Sequence, residues 1–326
     1  MIISKTPYRI SFFGGGSDYP EWYLENRGAV ISTTIKKYIY VSCRKLNKYF
    51  EHNYRISYSK VEEVKKINQI HHPAVRAILL NCGIKDGLEI HYDGDLPARS
   101  GMGSSSSFVV GLLNTINKYK KKKITKKNLA ENSFFIERNI LKENVGHQDQ
   151  VAASYGGFNK INFTSKGFFI NRIHLQLKFE NAMNNNLFLV YTGLQRRAEK
   201  IAGRYVKGLN NLKKNSIKKI LNHVDEASKL ILQDNPNDFG RLLHETWIEK
   251  KNLSSFISNS NIDELYNLGL KNGAFGGKLL GAGGGGFILF YVDTNQIGKF
   301  KKKLTNFNIL QVKIENYGSQ IIYDEK

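Results

Sequence analysis

Residues 95–113, DLPARSGMGSSSSFVVGLL, decide how this chain is read. A strand-like run at 88–92 feeds a loop built from Pro97, Gly101 and Gly103, followed by four consecutive serines at 104–107. Behind them Phe108, Val109, Leu112, Leu113 and Ile116 recur at helical spacing, so the serines open a helix with a buried face. A helix start carries unpaired backbone N–H groups and the positive pole of the helix dipole, which suits an anion. Glycines let that backbone come close to the anion, and serine hydroxyls add donors or metal-binding oxygens. An ordinary Ser-capped helix needs only one serine; four behind G-M-G favour a phosphate-binding turn. No Lys-Ser/Thr follows the glycines, so the turn is not a P-loop.

The 326 residues suffice for one large or two moderate domains. With 41% hydrophobic and 12% aromatic residues, the chain is of the folded globular type. No apolar run approaches the roughly 18 residues that span a bilayer. The opening MIISKTPYRI lacks the charged-then-apolar order of a secretion signal. Cys43 and Cys82 allow at most one bridge and have no zinc-type spacing, so they read as free thiols in a reducing cytoplasm. The net charge of +21 suits nucleic acid, acidic membrane or phosphorylated ligands. The lysines are scattered, however, and their densest run, KYKKKKITKK at 118–127, falls between two expected helices as a solvated loop. No basic stripe interleaved with aromatics points to RNA. Neither nucleic acid nor membrane is expected as a partner.

Near the N-terminus, residues 8–13 read as a strand broken by Gly14, Gly15 and Gly16, with Ser17 and Asp18 just beyond. Asp18 thus sits at a sheet edge, either facing a ligand or as a plain turn residue. Arg9, inside the apolar strand, needs a partner if it is buried. Residues 30–45 are β-rich. One helix is expected over 61–81, stopped by Gly83, and another over 125–141 with Leu129, Phe134, Ile136, Ile140 and Leu141 inward. In GHQDQ at 146–150 the glycine turns the chain into a short helix; Asp149 there either complements the dipole or does chemistry. His147 alone reads as structural.

A hairpin follows at 158–173, then an Asn-rich connector at 181–186 and the strand LFLVYTG. Helices are expected at 196–209, 217–232, 236–251, 262–271 and 296–304, with final strands at 309–314 and 319–323. Antiparallel-looking strands alternating with helices give an α+β fold. Residues 281–286 satisfy G-x-G-x-x-G but precede a strand, not a helix, which rejects the dinucleotide-binding reading.

The loop from Pro97 onward resembles the ATP loop, P-x-x-x-G-L-G-S-S-A-A, of the galacto-, homoserine, mevalonate and phosphomevalonate (GHMP) kinase family. Pro97, Gly101, Met102, Gly103, Ser104 and Ser105 fall on it. PYRISFFGGGSDY resembles the family's P-G-R-V-N-L-I-G-E-H-T-D-Y, with Arg9 on its arginine and Asp18 on its sugar-contacting aspartate. KLLGAGGGGFILFY at 278–291 is similar to the C-terminal glycine motif that supports the ATP loop. Glu137, twelve residues before Asp149, falls on the magnesium-binding glutamate, and Asp149 on the catalytic aspartate.

The resemblance implies a two-domain α+β fold: a ribosomal-protein-S5-like domain at 1–175 and a ferredoxin-like α+β domain at 176–326. It implies ATP and Mg2+ as cofactors, and Asp149 and Arg9 as catalytic residues. Pro97, Arg99, Ser100, Gly101, Met102, Gly103, Ser104, Ser105 and Ser106 would surround the nucleotide, with Ser105 and Glu137 on the metal. Arg9, Gly15, Gly16, Ser17, Asp18, Asp149 and Gly283 would surround the substrate. FGGGSDYP lacks the Glu-His pair of galactokinases and looks like the branch that phosphorylates the anomeric hydroxyl of D-glycero-D-manno-heptose 7-phosphate. A fucokinase- or galactokinase-like enzyme and a non-catalytic sugar and ATP sensor are the alternatives. The expected partners are ATP and a phosphosugar, with a homodimer left open. The sugar's far phosphate calls for a cationic grip from Arg99, Arg196 or Arg197.

Overall fold

Two sheets carry the chain in the computed structural model, which describes residues 1–194, 203, 206–209 and 213–325. The first is built on two long antiparallel neighbours, β1 (Ile2–Phe13) and β2 (Gly28–Lys45). β2 is long enough to share its other edge among three partners. These are β6 (Asn159–Thr164) at its start, β12 (Ile314–Glu315) in the middle and β5 (Leu88–Gly94) at its end. β5 continues in parallel to β3 (Tyr54–Ser57), which pairs with β4 (Val61–Val64); β6 pairs with β7 (Gly167–Arg172). The second sheet runs β11-β8-β10-β9, from Ile309–Gln311, Leu187–Tyr191, Phe287–Val292 and Ala274–Leu279. Mostly antiparallel strands with helices over them make the fold α+β, as expected.

The serine run opens α3 (Ser104–Tyr119), and Phe108, Val109, Leu112, Leu113 and Ile116 are all buried as the helix packs on β1 and β2. Between the two sheets lies a cluster of rings. Phe239, on α8 (Pro236–Lys251), sits 5.3 Å from Phe12, 4.9 Å from Phe13 and 5.2 Å from Phe179, edge-on to each. Edge-on contact sets the positive ring edge against a negative face, adding to the apolar burial.

Several expected elements differ. The helix over 61–81 is three pieces: β4, a short turn at 67–69 and α2 (Pro73–Asn81). Val61–Val64 zips onto Tyr54–Ser57, and the buried Glu62 accepts from Tyr58 Oη and from the backbone N–H groups of His71 and His72. Pro73 lacks the N–H of a helix interior and stands at the first helical position instead. The helix over 125–141 becomes α4 (Lys126–Phe135) and a wider π turn, Ile136–Ile140. The extra residue per turn shifts the phase, so Glu137 points into the core while Ile140, expected inward, is 39% exposed. The Asn-rich connector is the end of a helix, α6 (Leu177–Asn185), held by Phe179 and Met183, four apart and both buried. β9 lies hidden inside the glycine-rich segment, so residues 281–286 form the loop of the β9–β10 hairpin.

The division expected at 175/176 does not hold for the last strands. β12 adds to β2, and β13 (Gln320–Asp324) lies along Ile2–Lys5 of β1, so residues 314–324 complete the first sheet. The expected helix at 196–209 falls largely outside the described residues.

Candidate active site

β1 carries Arg9 into the interior, and Asp149 arrives from the first turn of α5 (Gln148–Tyr155). Arg9 Nε donates to Asp149 Oδ1 at 2.7 Å and Nη2 to Oδ2 at 2.8 Å, while Nη1 donates to the Gly101 carbonyl at 2.7 Å. The Arg9 backbone N–H also donates to Met102 O at 3.2 Å. One buried side chain therefore joins the acid to the serine turn. Gly103, at φ 73°, caps α3 with no side-chain hydrogen bond. A Cβ there would lie 3.2 Å from Arg9 Cγ and 3.4 Å from Asp149 Oδ2. The start of α3 is thus bare backbone set directly against the Arg9–Asp149 pair, an arrangement suited to an anion.

The N-terminal glycine turn packs from the other side. Asp18, 1% exposed, accepts the Gly16 N–H at 3.0 Å on Oδ1 and the Gln148 N–H at 3.4 Å on Oδ2, and its carbonyl accepts the His147 N–H. Gly146 has no room for a side chain, since a Cβ would stand 2.0 Å from Asp18 Oδ2. Burial first, and then the neighbouring Asp149 carboxylate, push Asp18 up to about 6. The Ser17 hydroxyl is committed to backbone, lying 2.8 Å from Gly14 O in its own turn and 3.0 Å from Ala29 O on β2.

Glu137, fully buried by the π turn, accepts from Ser106 Oγ at 3.1 Å and from Gln150 Nε2 at 2.5 Å. Burial dominates and raises it to about 8, with Glu143 and Asp149 adding repulsion. Gln150 Oε1 is buried without a partner in the same cluster. A buried carboxylate, a hydroxyl and an orphan amide oxygen are all oxygen donors, which fits a hard divalent cation. Among the described residues no three His, Cys, Asp or Glu side chains converge as a metal site. An ion here would complete its shell from hydroxyls, phosphate oxygens and water.

Residues 66–157 match the GHMP kinases N terminal domain, and residues 227–309 the GHMP kinases C terminal domain. The chain belongs to the GHMP kinase family. It is 29% identical over 305 residues to the D-glycero-alpha-D-manno-heptose 7-phosphate kinase of Campylobacter jejuni, covering 90% of this chain and 89% of that one. It is 25% identical over 346 residues to the bifunctional fucokinase/GDP-fucose pyrophosphorylase of Arabidopsis thaliana, covering 96% of this chain and 32% of that longer protein. A crystal structure of a D-glycero-D-manno-heptose 1-phosphate kinase from Bacteroides thetaiotaomicron superposes with a TM-score of 0.81 at 21% identity, covering all of both chains. The Methanococcus jannaschii mevalonate kinase gives 0.74 at 23% identity, over 96% of this chain and 98% of that one. At such identities the structural likeness speaks for the fold.

In this GHMP kinase the C-terminal glycine hairpin props up the serine turn. Phe287 N donates to Ser100 O at 3.1 Å, and a Cβ on Gly101 would meet Leu280 O at 2.6 Å. Ser100 and Met102 are buried beneath the turn, while Pro97 and Arg99 are exposed on it. Arg99, at φ 60°, donates its backbone N–H to Ser104 Oγ. Ser105, expected on the metal with Glu137, is exposed; Ser106, one residue later, is the serine whose hydroxyl reaches Glu137. A Cβ on Gly283 would stand 2.7 Å from Ile257 Cα, in the loop that follows α8. Arg196 and Arg197 lie outside the described residues.

His147 stacks on Phe134 at 4.0 Å and meets Phe168 edge-on, and burial pulls it down to about 4, so it is a neutral packing residue. Sequence reasoning missed Gln150, whose position beside Asp149 was the available signal. It also missed two buried lysines, Lys250 and Lys278, the second conspicuous as a lone charge in GGKLLG.

Proposed function

We propose that the protein transfers the terminal phosphoryl group of ATP to the anomeric hydroxyl of D-glycero-D-manno-heptose 7-phosphate, giving the 1,7-bisphosphate and ADP. The observation that carries this reading is the Arg9–Asp149 pair set against Gly103, the uncapped start of α3. Phosphoryl transfer passes through a loose transition state, so position and charge matter more than a strong base. The N–H groups of the serine turn receive the nucleotide phosphates. Asp149, its side chain 23% exposed, accepts the proton of the sugar hydroxyl as the oxygen–phosphorus bond forms and the bond to ADP breaks. Arg9 fixes the carboxylate by two bonds and the turn by a third, setting the distance between acid and phosphate. Asp18 orients sugar hydroxyls from the glycine turn.

Mg2+ bound to Glu137 and a serine hydroxyl, from Ser106 or Ser105, would neutralise phosphate charge. A nearby cation would also bring Glu137 back to its ionised form. The choice of a heptose phosphate is supported by FGGGSDYP and by the Campylobacter jejuni relative. The product would feed nucleotide-activated heptose for surface polysaccharide, made in the cytoplasm, where ATP is at hand. Phosphorus NMR of the reaction with heptose 7-phosphate and Mg-ATP tests this. The expected result is ADP with a new phosphate signal coupled to the anomeric proton. Turnover of L-fucose or galactose without turnover of the heptose phosphate, or no turnover of any sugar, overturns it.

A further inference from the structure

We infer that Lys250 is a positioning residue for the nucleotide, fixing the loop of the β9–β10 hairpin against the serine turn, an inference that rests on the proposed seating of the phosphates on that turn. Lys250 lies in the last turn of α8, three residues after Trp247 and four after Thr246, so it shares the helix face that both bury. It is itself 7% exposed. Nζ donates to Leu279 O at 3.1 Å and to Gly281 O at 2.5 Å, at the end of β9 and the start of the hairpin loop. A methionine there would fill the same space; the two bonds are what the lysine adds. Burial pulls Lys250 down to about 7, and the neutral amine still keeps two N–H groups, one for each carbonyl. The tether therefore does not depend on the charge.

The loop needs such a tether. Five of residues 281–286 are glycines, the residue type that loses most freedom on being ordered. Its far end is held by Thr192, whose backbone N–H and hydroxyl donate to Gly286 O at 2.9 and 2.8 Å. In the middle, Gly284 N donates to Ile257 O at 2.9 Å. Lys250 holds the near end, and the near end is where the loop meets the nucleotide turn. A Cβ on Gly281 would stand 2.6 Å from Gly101 Cα, and a Cβ on Gly101 would stand 2.6 Å from Leu280 O. Gly281 is thus clamped, with its carbonyl on Lys250 and its Cα against Gly101. The Gly101 carbonyl in turn accepts from Arg9 Nη1, on the guanidinium that holds Asp149. Backbone packs on backbone here, with no side chain between to give way, so a shift of Gly281 passes to the turn. Released from Lys250, the loop can lift, and the N–H groups of the turn lose the placement that phosphate requires. Lys278 is buried as deeply but donates to Phe12 O at 2.7 Å, tying β9 to β1 away from this contact.

The test compares wild type with Lys250→Met and Lys278→Met, each checked for folding by its melting curve. Titration with Mg-ADP, followed by displacement of a fluorescent nucleotide, should give Lys250→Met a Kd raised about 10- to 100-fold, the scale of two lost hydrogen bonds. In turnover its KM for ATP should rise by a similar factor while the KM for the acceptor sugar holds. Lys278→Met loses an amine just as buried, so it should lower the melting temperature and leave the Kd for Mg-ADP close to that of wild type. An unchanged Kd in Lys250→Met, an equal rise in both variants, or a joint rise in both KM values overturns the assignment. Gly103→Val, which fills the bare start of α3, separates this role from the nucleotide seat itself. If it abolishes Mg-ADP binding while Lys250→Met does not weaken it, the seat stands and the role of Lys250 falls. If it binds Mg-ADP like wild type, the seat falls and the role of Lys250 with it. Should Lys250→Met fail to fold, hydrogen exchange on wild type decides. Mg-ADP slowing exchange at 279–287 together with the serine turn supports the tether, and slowing confined to the serine turn overturns it.

Discussion

Arg9 and Asp149 meet through two parallel hydrogen bonds, with the guanidinium 5% exposed and the carboxylate 23%. The cation is dry and its partner is reachable, the polarity a proton acceptor needs. Asp149→Asn should lower kcat by at least ~100-fold, a usual general-base contribution, with nucleotide affinity retained. Steady-state ADP release and a fluorescent-nucleotide titration check both halves. Near-wild-type turnover would remove Asp149 from the chemistry.

Gly101 and Gly281 touch backbone to backbone: a Cβ on Gly281 would stand 2.6 Å from Gly101 Cα, and both residues hold positive φ. Gly281→Ala should push the hairpin away from the serine turn. The expected outcome is a higher KM for ATP together with a stability loss on the order of 1–2 kcal/mol from the left-handed backbone alone. Thermal melting and ATP kinetics measured on the same preparation check it.

Asp18 titrates near 6 in the folded chain against an ordinary value of 3.8. A carboxyl whose folded value is raised favours the native state below pH 3.8, and that contribution is lost as the pH rises through 6. Asp18→Asn removes the titration. The melting temperature of the variant relative to wild type should therefore climb across that window and level off above it. A difference that stays flat with pH would mean Asp18 does not titrate there.

Gln150 bonds Ser106 at 3.2 Å as well as Glu137, so it holds together the two groups proposed to bind the metal. Gln150→Leu should weaken Mg2+ activation about 10- to 100-fold, the usual effect of losing a group that orients a ligand. Metal-free nucleotide binding should change little. Titrating Mg2+ at fixed ATP measures it.

Phe239 fills the space between the sheets, where Phe12, Phe13 and Phe179 close around it. Phe239→Ala should cost about 3–5 kcal/mol, through lost burial plus the cavity left behind. Chemical denaturation would register it as a lowered midpoint.

The parts legible in the sequence were those where one local rule fixes the outcome. The serine run followed by Phe108, Val109 and Leu112 could only open a buried helix, and Arg9 in an apolar strand had to find an acid. What escaped depended on distant partners. Val61–Val64 became a strand because Tyr54–Ser57 offered an edge, and β9 formed inside a glycine tract because β10 and α8 cover it. Ser106 rather than Ser105 reaches Glu137 because Ser106 lies on the buried side of α3 while Ser105 is exposed, a matter of helix phase that the serine run leaves open. Lys250 looked like one more lysine in a basic chain, and only burial sets it apart.

Synthesis order gives the return of β12 and β13 a further meaning. The strand that presents Arg9 is made long before residues 320–324, and only with these does the outer edge of its Ile2–Lys5 stretch gain a strand partner. Until then, that stretch of β1 is an open ladder, able to recruit a neighbouring chain. Pairings this far apart in sequence close slowly. Trimming those last residues should therefore show itself less in the catalytic constants than in the yield of monodisperse protein.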